Sequence, residues 1–204
     1  MAYVPTAERR LQLVGAATRV IREHGLSKAT ARRIAEEAGV PVAGVYYHFP
    51  RGKDELYETV MDDIGVDGRA QIASVVIPGM GVGPAADAIF RKAMRWSNDT
   101  FDDQLTEYEV FIWAVRTGEY ASIPKRTYRE WIKHVARLLK TAHARDEPQY
   151  DFSTLARVLV AQIDGFIIQH QMLQNRQATA LTEAGAAAIA AAIAGGSFTR
   201  SSTP

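Results

Sequence analysis

The chain has 204 residues, 47% of them hydrophobic, and no cysteine, so it can bury a sizeable core; wholesale disorder, disulfides, thiolate metal sites and cysteine nucleophiles are excluded. The formal net charge of +1 hides an asymmetry: residues 1–53 carry nine Lys/Arg against four Asp/Glu, and the remainder carries 15 against 19. A basic head on an acidic body suits a polyanionic partner for the head alone. No secretory apolar region precedes Glu8-Arg9-Arg10, and no apolar stretch reaches about 18 uninterrupted residues, so a soluble cytoplasmic protein without a membrane span is expected.

Nearly every segment reads as helix, and the expected fold is all-α with about nine helices. From Thr6 to Glu23, apolar residues recur at Leu11, Val14, Ala17 (or Thr18) and Ile21, and Gly25 ends the helix. Thr30 is the expected N-cap of a second helix with Ile34, Ala35 and Ala38 on its apolar side. Gly39-Val40-Pro41 then makes a turn: glycine takes φ > 0, Val40 plugs the small core, and Pro41 fits just before a helix start. A short third helix spans about Val42–Tyr47, with Val45 and Phe49 pointing inward, before Phe49-Pro50-Arg51-Gly52 breaks the chain. A fourth helix begins near Lys53 and carries Leu56, Val60, Met61 and Ile64. The loop Pro78–Pro84 is glycine-rich, but no strand precedes it and the lysine of a phosphate loop is missing, so nucleotide binding is not expected there. Later helices are expected over 84–101, 104–117, 121–144, 153–175 and 180–194, followed by a frayed tail from Gly195.

Three short helices joined by tight glycine-bearing turns have the architecture of a helix-turn-helix, here at Thr30–Phe49. The small side chains of Val42, Ala43 and Gly44 let the N-terminus of the third helix come close to base edges and phosphates. Residues 9–64 resemble the N-terminal domain of the tetracycline-repressor (TetR) family. The likeness is carried by Ala17 through Gly25, Thr30-Ala31-Arg32-Arg33-Ile34-Ala35-Glu36-Glu37-Ala38-Gly39-Val40, Val45-Tyr46-Tyr47-His48-Phe49 and Lys53-Asp54-Glu55-Leu56. It implies a DNA-binding domain over 1–53 and a helical ligand-binding and dimerisation domain over 54–204. It also implies roles that the chemistry supports. Thr30 offers its hydroxyl to a phosphate, and Arg32 reaches a base or a phosphate, with Arg33 as a second candidate. Val42, Ala43 and Gly44 lie where the family reads bases, and here that readout is apolar. Tyr46, Tyr47 and His48 position phosphates. Lys53 adds a phosphate contact, helped by the dipole of its helix.

Family members dimerise through their last two helices, which lets two heads reach successive major grooves about 34–36 Å apart. The candidate dimer residues are Leu155, Leu159, Ile163, Phe166, Ile167 and His170 on one helix, with Ala188, Ala191 and Ala192 on the last. Aromatic residues interleaved with polar groups mark a candidate effector pocket at Trp96, Tyr108, Phe111, Trp113, Tyr128, Trp131, His134 and Asp164. The stretch Tyr108–Trp131, with Asp164-Gly165-Phe166, resembles the body of a betaine-regulator-like branch of the family. No cofactor is expected, and His134 and His170 lack the partners a metal site needs. The expected function is a ligand-responsive repressor that binds a palindromic operator as a homodimer and is released by a small-molecule effector. A helical enzyme and a ligand-free structural DNA-binding protein are the alternatives. Against the enzyme, no nucleophile–base pair stands out.

Overall fold

Helix-forming periodicity runs through the whole chain, and the computed structural model is helical accordingly. It describes residues 5–118, 120, 122–173 and 178–200. Among these residues lie nine α-helices: α1 (Thr6–His24), α2 (Ala31–Ala38), α3 (Val42–His48), α4 (Lys53–Ala73), α5 (Val82–Asp99), α6 (Phe101–Thr117), α7 (Ser122–Ala142), α8 (Phe152–Leu173) and α9 (Ala178–Ala194), with a 3₁₀ turn at Leu26–Lys28. The last two residues of the expected 153–175 helix and the tail beyond Arg200 lie outside the described residues, as do the side chains of Phe101 and Gln171.

The chain divides into two units. One comprises Met1–Val66 with Thr100–Thr127, the other Asp67–Asp99 with Tyr128–Pro204. In the first, α1 packs against α2, α3 and α6. Because α1 is covered from several directions, its buried face is a double row, Leu13, Val14, Ala16, Ala17, Val20 and Ile21. This corrects the expected stripe: Leu11 lies on the far side of the helix and is 66% exposed. Ile34, Val45, Phe49, Leu56, Tyr57 and Met61 complete this core, and the Tyr57 hydroxyl donates to the carbonyl of Ala29 at 2.7 Å.

In the second unit α5 packs against α8 and α9. The rings of Phe90 and Phe166 meet edge to face at 5.3 Å over Gly185 of α9. A Cβ at Gly185 would lie 2.7 Å from Phe90 and 2.8 Å from Phe166. Alanine favours a helix over glycine by about 1 kcal/mol, but forcing a methyl into a filled core costs about 1–3 kcal/mol, and Phe90 is fully buried. Gly185→Ala is therefore expected to lower the urea midpoint, whereas the same change at Gly83, whose Cβ would meet nothing within 4 Å, is expected to leave it level or raise it.

The glycine-rich loop before α5 has a structural use. Gly79 N–H donates to the Thr141 carbonyl (3.1 Å) and Gly81 N–H to that of Ala142 (2.8 Å), so the loop closes the open C-terminal end of α7. Glu147, 65 positions along the chain, caps α5 by accepting from Val82 N–H at 2.8 Å, and it also accepts from Ala144 N–H. That remote cap starts α5 two residues before the expected position. The expected frayed tail is likewise corrected as far as Arg200. Asp151 N–H donates to the Phe198 carbonyl (2.8 Å) and Arg200 N–H to that of Gln149 (2.9 Å), around an antiparallel bridge between Tyr150 and Thr199. The segment Phe152–His170 is, by length and composition, long and apolar enough to cross a membrane, where the sequence pattern promised no such span. In this fold its row Leu155, Ala156, Leu159, Val160, Ile163 and Ile167 is core.

Candidate nucleic-acid interface and effector site

The helix-turn-helix is assembled by local chemistry. Thr30 Oγ1 accepts from Arg33 N–H at 3.2 Å and caps α2. Gly39, at φ 65°, takes the left-handed conformation that closes α2. Val45 and Phe49 anchor α3 from beneath, each fully buried. From α1, Gln12 donates to the Ala38 carbonyl at 2.7 Å. Arg10 donates to the His48 carbonyl and to Glu55, and its guanidinium lies 4.1 Å from the centre of the Phe49 ring. Arg10 is thus a clamp that holds the C-terminal end of α3, a role that sequence spacing does not reveal because its partners lie some 40 positions away.

This framework leaves the N-terminal face of α3 open. Val42 and Ala43 are exposed, and Gly44 is half-buried with the Val40 side chain 3.8 Å from where a Cβ would stand. Tyr46 and Tyr47 are 54% and 74% exposed, so neither ring is core. His48 is half-buried, edge-on to Tyr47 at 4.9 Å, and its Nδ1 has no hydrogen-bond partner among the described residues. Thr30 and Lys53 are exposed at the N-termini of α2 and α4. Arg32 is exposed and paired with Glu36 at 3.0 Å one turn on. A pair this open contributes little, so its guanidinium can exchange Glu36 for a nucleic-acid acceptor. Arg33 is half-buried. A hollow of about 610 Å³ opens beside this face, lined by Thr30, Tyr46, Lys53, Tyr57, Glu109 and Trp113 among others. Glu109 of α6 accepts from Leu26 N–H at 2.8 Å, and Tyr120 donates to Asp54 at 2.5 Å.

The aromatic residues expected to line one pocket are divided between the units. In the first, Trp113 stacks on Tyr120 at 4.7 Å and meets Tyr57 edge-on at 5.5 Å, while Phe111 is buried and Tyr108 half-buried. In the second, the rings of Trp96 and Trp131 lie 6.4 Å apart, and Trp96 Nε1 donates to Asp67 at 2.9 Å. His134 Nε2 lies 3.1 Å from the Arg69 carbonyl, and burial pushes the His134 imidazole below its ordinary value. Asp164 of α8 accepts a hydrogen bond from the Tyr128 hydroxyl. Burial pushes its carboxyl up to about 6, and the Tyr128 bond opposes that shift only in part.

The candidate dimer residues also separate. Leu155, Leu159, Ile163 and Ile167 are buried inside their own unit, so they offer no surface to a second chain. Phe166 and His170 are half-buried. The outward row of α8 is instead Val158, Ala161, Ile168 and Met172, and on α9 Ala184, Ala187, Ala188 and Ala191 are exposed with Ala192 half-buried. The buried and outward rows of α8 differ by one residue in register. An apolar pattern covering both sides of a helix cannot tell them apart.

Two short crossed helices with an open N-terminal face and a core of their own can lay that face in the major groove of DNA, which defines a helix-turn-helix DNA-binding protein. Residues 13–60 match the family model of bacterial regulatory proteins, tetR family, and residues 80–195 match that of the tetracyclin repressor-like C-terminal domain. The chain belongs to the TetR family of transcriptional regulators, and like its relatives it is a regulator and not an enzyme. It is 30% identical over 169 residues to the HTH-type nicotine-responsive transcriptional repressor HdnoR of Paenarthrobacter nicotinovorans, covering 82% of this chain and 86% of that one. It is 48% identical over 59 residues to the regulator BetI 2 of Chromohalobacter salexigens, which covers 29% of this chain and 28% of that protein. Among solved structures, a transcriptional regulator from Rhodococcus sp. Rha1 superposes with a TM-score of 0.73 at 20% identity, covering 92% of this chain and 96% of that one. The multidrug binding protein EbrR, solved with imidazole, gives 0.68 at 24% identity, covering 89% and 93%.

Proposed function

We propose that this regulator is a repressor that binds a palindromic operator as a homodimer in the cytoplasm and leaves it when a small-molecule effector enters the body. The observation that carries the DNA reading is the open face of α3, with bare small residues at its N-terminus. The surrounding grips are Thr30, Arg32, Arg33, Tyr46, Tyr47, His48 and Lys53. Residues 1–53 serve as the DNA-binding domain and 54–204 as the effector and dimer domain. Because Val42, Ala43 and Gly44 carry no hydrogen-bonding side chain, Arg32 supplies most of the polar base readout, and DNA shape contributes the rest. Lys53→Ala is therefore expected to weaken binding to all DNA sequences about equally and to flatten the salt dependence by about one phosphate contact. Arg32→Ala is expected to reduce the preference for the operator over unrelated DNA. Anisotropy titrations at several salt concentrations check both, and equal affinity of the wild-type protein for the intergenic DNA of its own gene and for unrelated DNA would overturn the reading.

The outward rows of α8 and α9 support the dimer. Small residues on α9 allow close helix approach, and Val158, Ile168 and Met172 supply apolar area. Ile168→Glu is expected to yield monomers by sedimentation at micromolar concentration and to weaken operator binding, with its helicity retained. For the effector, support comes from the aromatic and polar residues Trp96, Tyr128, Trp131, His134 and Asp164 of the second unit. The nicotine response for which HdnoR is named points to a small organic molecule. Effector binding favours a body conformation in which the two heads no longer match the groove spacing.

A further inference from the structure

The hollow of about 610 Å³ beside α3 is lined by residues of the first unit alone, and it has the size and make-up of a small-molecule site. Part of its lining is apolar and aromatic. Leu26 and Tyr57 are buried, Trp113 is half-buried, and Tyr46 and Ile112 are more than half exposed. Trp113 is held by its stack on Tyr120 and its edge contact with Tyr57, so that wall is fixed before a guest arrives. The charges around the hollow differ in their engagements. Its two carboxylates serve the fold: Asp54 accepts from the Tyr120 hydroxyl, and Glu109 accepts from Leu26 N–H. Its three cations, Arg51, Lys53 and Arg116, are all exposed. Arg51 is paired with Glu58 at 2.8 Å. Lys53 and Arg116 form no ion pair among the described residues. Two helices also begin here, α2 at Thr30 and Ala31 and α4 at Gly52 and Lys53. The first N–H groups of a helix lack intrahelical partners and carry its positive end, which adds to the field of the two cations. An organic cation would meet repulsion from Lys53 and Arg116, whereas a ring bearing an anionic oxygen group matches both the wall and the charge.

We propose that this hollow binds a small aromatic carboxylate, with its ring against Trp113 and Ile112 and its carboxylate taken up by Arg116 and Lys53. Thr30, Tyr46 and Lys53 also belong to the surface proposed to grip DNA, so the bound anion excludes the operator directly, standing where a phosphate would meet Lys53. The inference rests on the DNA reading above and adds a competitive route of release, separate from the effector of the second unit. The test uses the full chain at pH 7 in calorimetric titrations with phenylacetate, benzyl alcohol, benzylamine and acetate. Phenylacetate is expected to bind about tenfold more tightly than each of the others, the increment of a charge-assisted hydrogen bond added to ring burial. Arg116→Gln and Ile112→Glu, both at exposed positions of α6 outside the proposed DNA grip, are expected to lose that preference while helicity and operator affinity without ligand stay at wild-type values. In anisotropy titrations the apparent Kd for operator is expected to rise in proportion to phenylacetate without levelling off, because the two ligands share one surface. An effector acting through the body would instead bring it to a plateau. Equal affinity for phenylacetate and any of the other probes, wild-type phenylacetate binding in both variants, or a plateau in the operator titration overturns the proposal. Failure of the regulator reading would appear separately, as wild-type protein that does not distinguish operator from unrelated DNA, while the calorimetric comparison, which contains no DNA, stands.

Discussion

Replacing Phe49 with alanine is expected to destabilise the protein by about 3–5 kcal/mol and to abolish operator binding, although the Phe49 ring lies entirely beneath the surface proposed to face DNA. The ring is fully buried at the C-terminal end of α3. Its removal leaves a cavity under a helix of only seven residues, too short to hold together without tertiary support. It also removes the platform beneath the Arg10 guanidinium, which otherwise joins the His48 carbonyl and Glu55. Urea unfolding followed by circular dichroism measures the first effect, and fluorescence anisotropy on operator DNA the second. The contrast is Tyr47→Ala: with 74% of Tyr47 exposed, its loss should leave the urea midpoint nearly unchanged and weaken DNA binding alone. A Phe49→Ala protein with wild-type midpoint and affinity would show that α3 is held by something other than this core.

The second large effect is a dependence on pH at Asp164. Its folded-state value, about 6, lies above the ordinary carboxylate value of 3.8, so folding favours the protonated form. Well below its ordinary value of 3.8 the group is protonated in both states and costs nothing. Between pH 4 and 6 the unfolded chain ionises more readily than the folded one, and stability is lost. Above pH 6 the full penalty remains, about 3 kcal/mol for a displacement of this size. Asp164→Asn is therefore expected to be more stable than wild type at pH 7 by up to that amount, with the difference shrinking to about 0.5 kcal/mol at pH 4 and vanishing below about pH 3. Comparing variant with wild type at each pH removes the contribution of the other carboxylates. A constant difference across this range would mean that Asp164 is not strained by burial. The expected sign is informative, because a group kept at a cost to stability is one the fold does not need for itself.

The helices were legible in the sequence because each has a period and a punctuation mark. Thr30, Gly39, Val45 and Phe49 behave in the structure as their types and spacing require, since capping, left-handed turns and short-range burial depend on neighbours within a few residues. What stayed hidden depends on distant partners. Leu11 fits a helical stripe as well as Leu13 does, and only the packing of α2, α3 and α6 on α1 decides between them. The early start of α5 follows from Glu147, and the order of the tail follows from Gln149 and Asp151; no local pattern contains either. In α8 the apolar residues run round more than one face, so the sequence could show that two surfaces are covered but not which row meets the chain's own core. The aromatic residues of α5 to α7 are rich enough to suggest a cavity, yet their separation between two units is a property of topology.

The small residues at the start of α3 have a consequence for how such a protein changes over time. Among the described residues, α3 is held from its inner side and its far end by Val45, Phe49 and Arg10. Val42 and Ala43 are both exposed. Mutations at these two positions are therefore expected to be nearly free of any folding penalty, while on the proposed reading each new side chain would face the DNA. A lineage carrying this head can drift from one operator to another by single steps, and an engineer can follow the same route by introducing asparagine or arginine at Ala43 without first stabilising the scaffold.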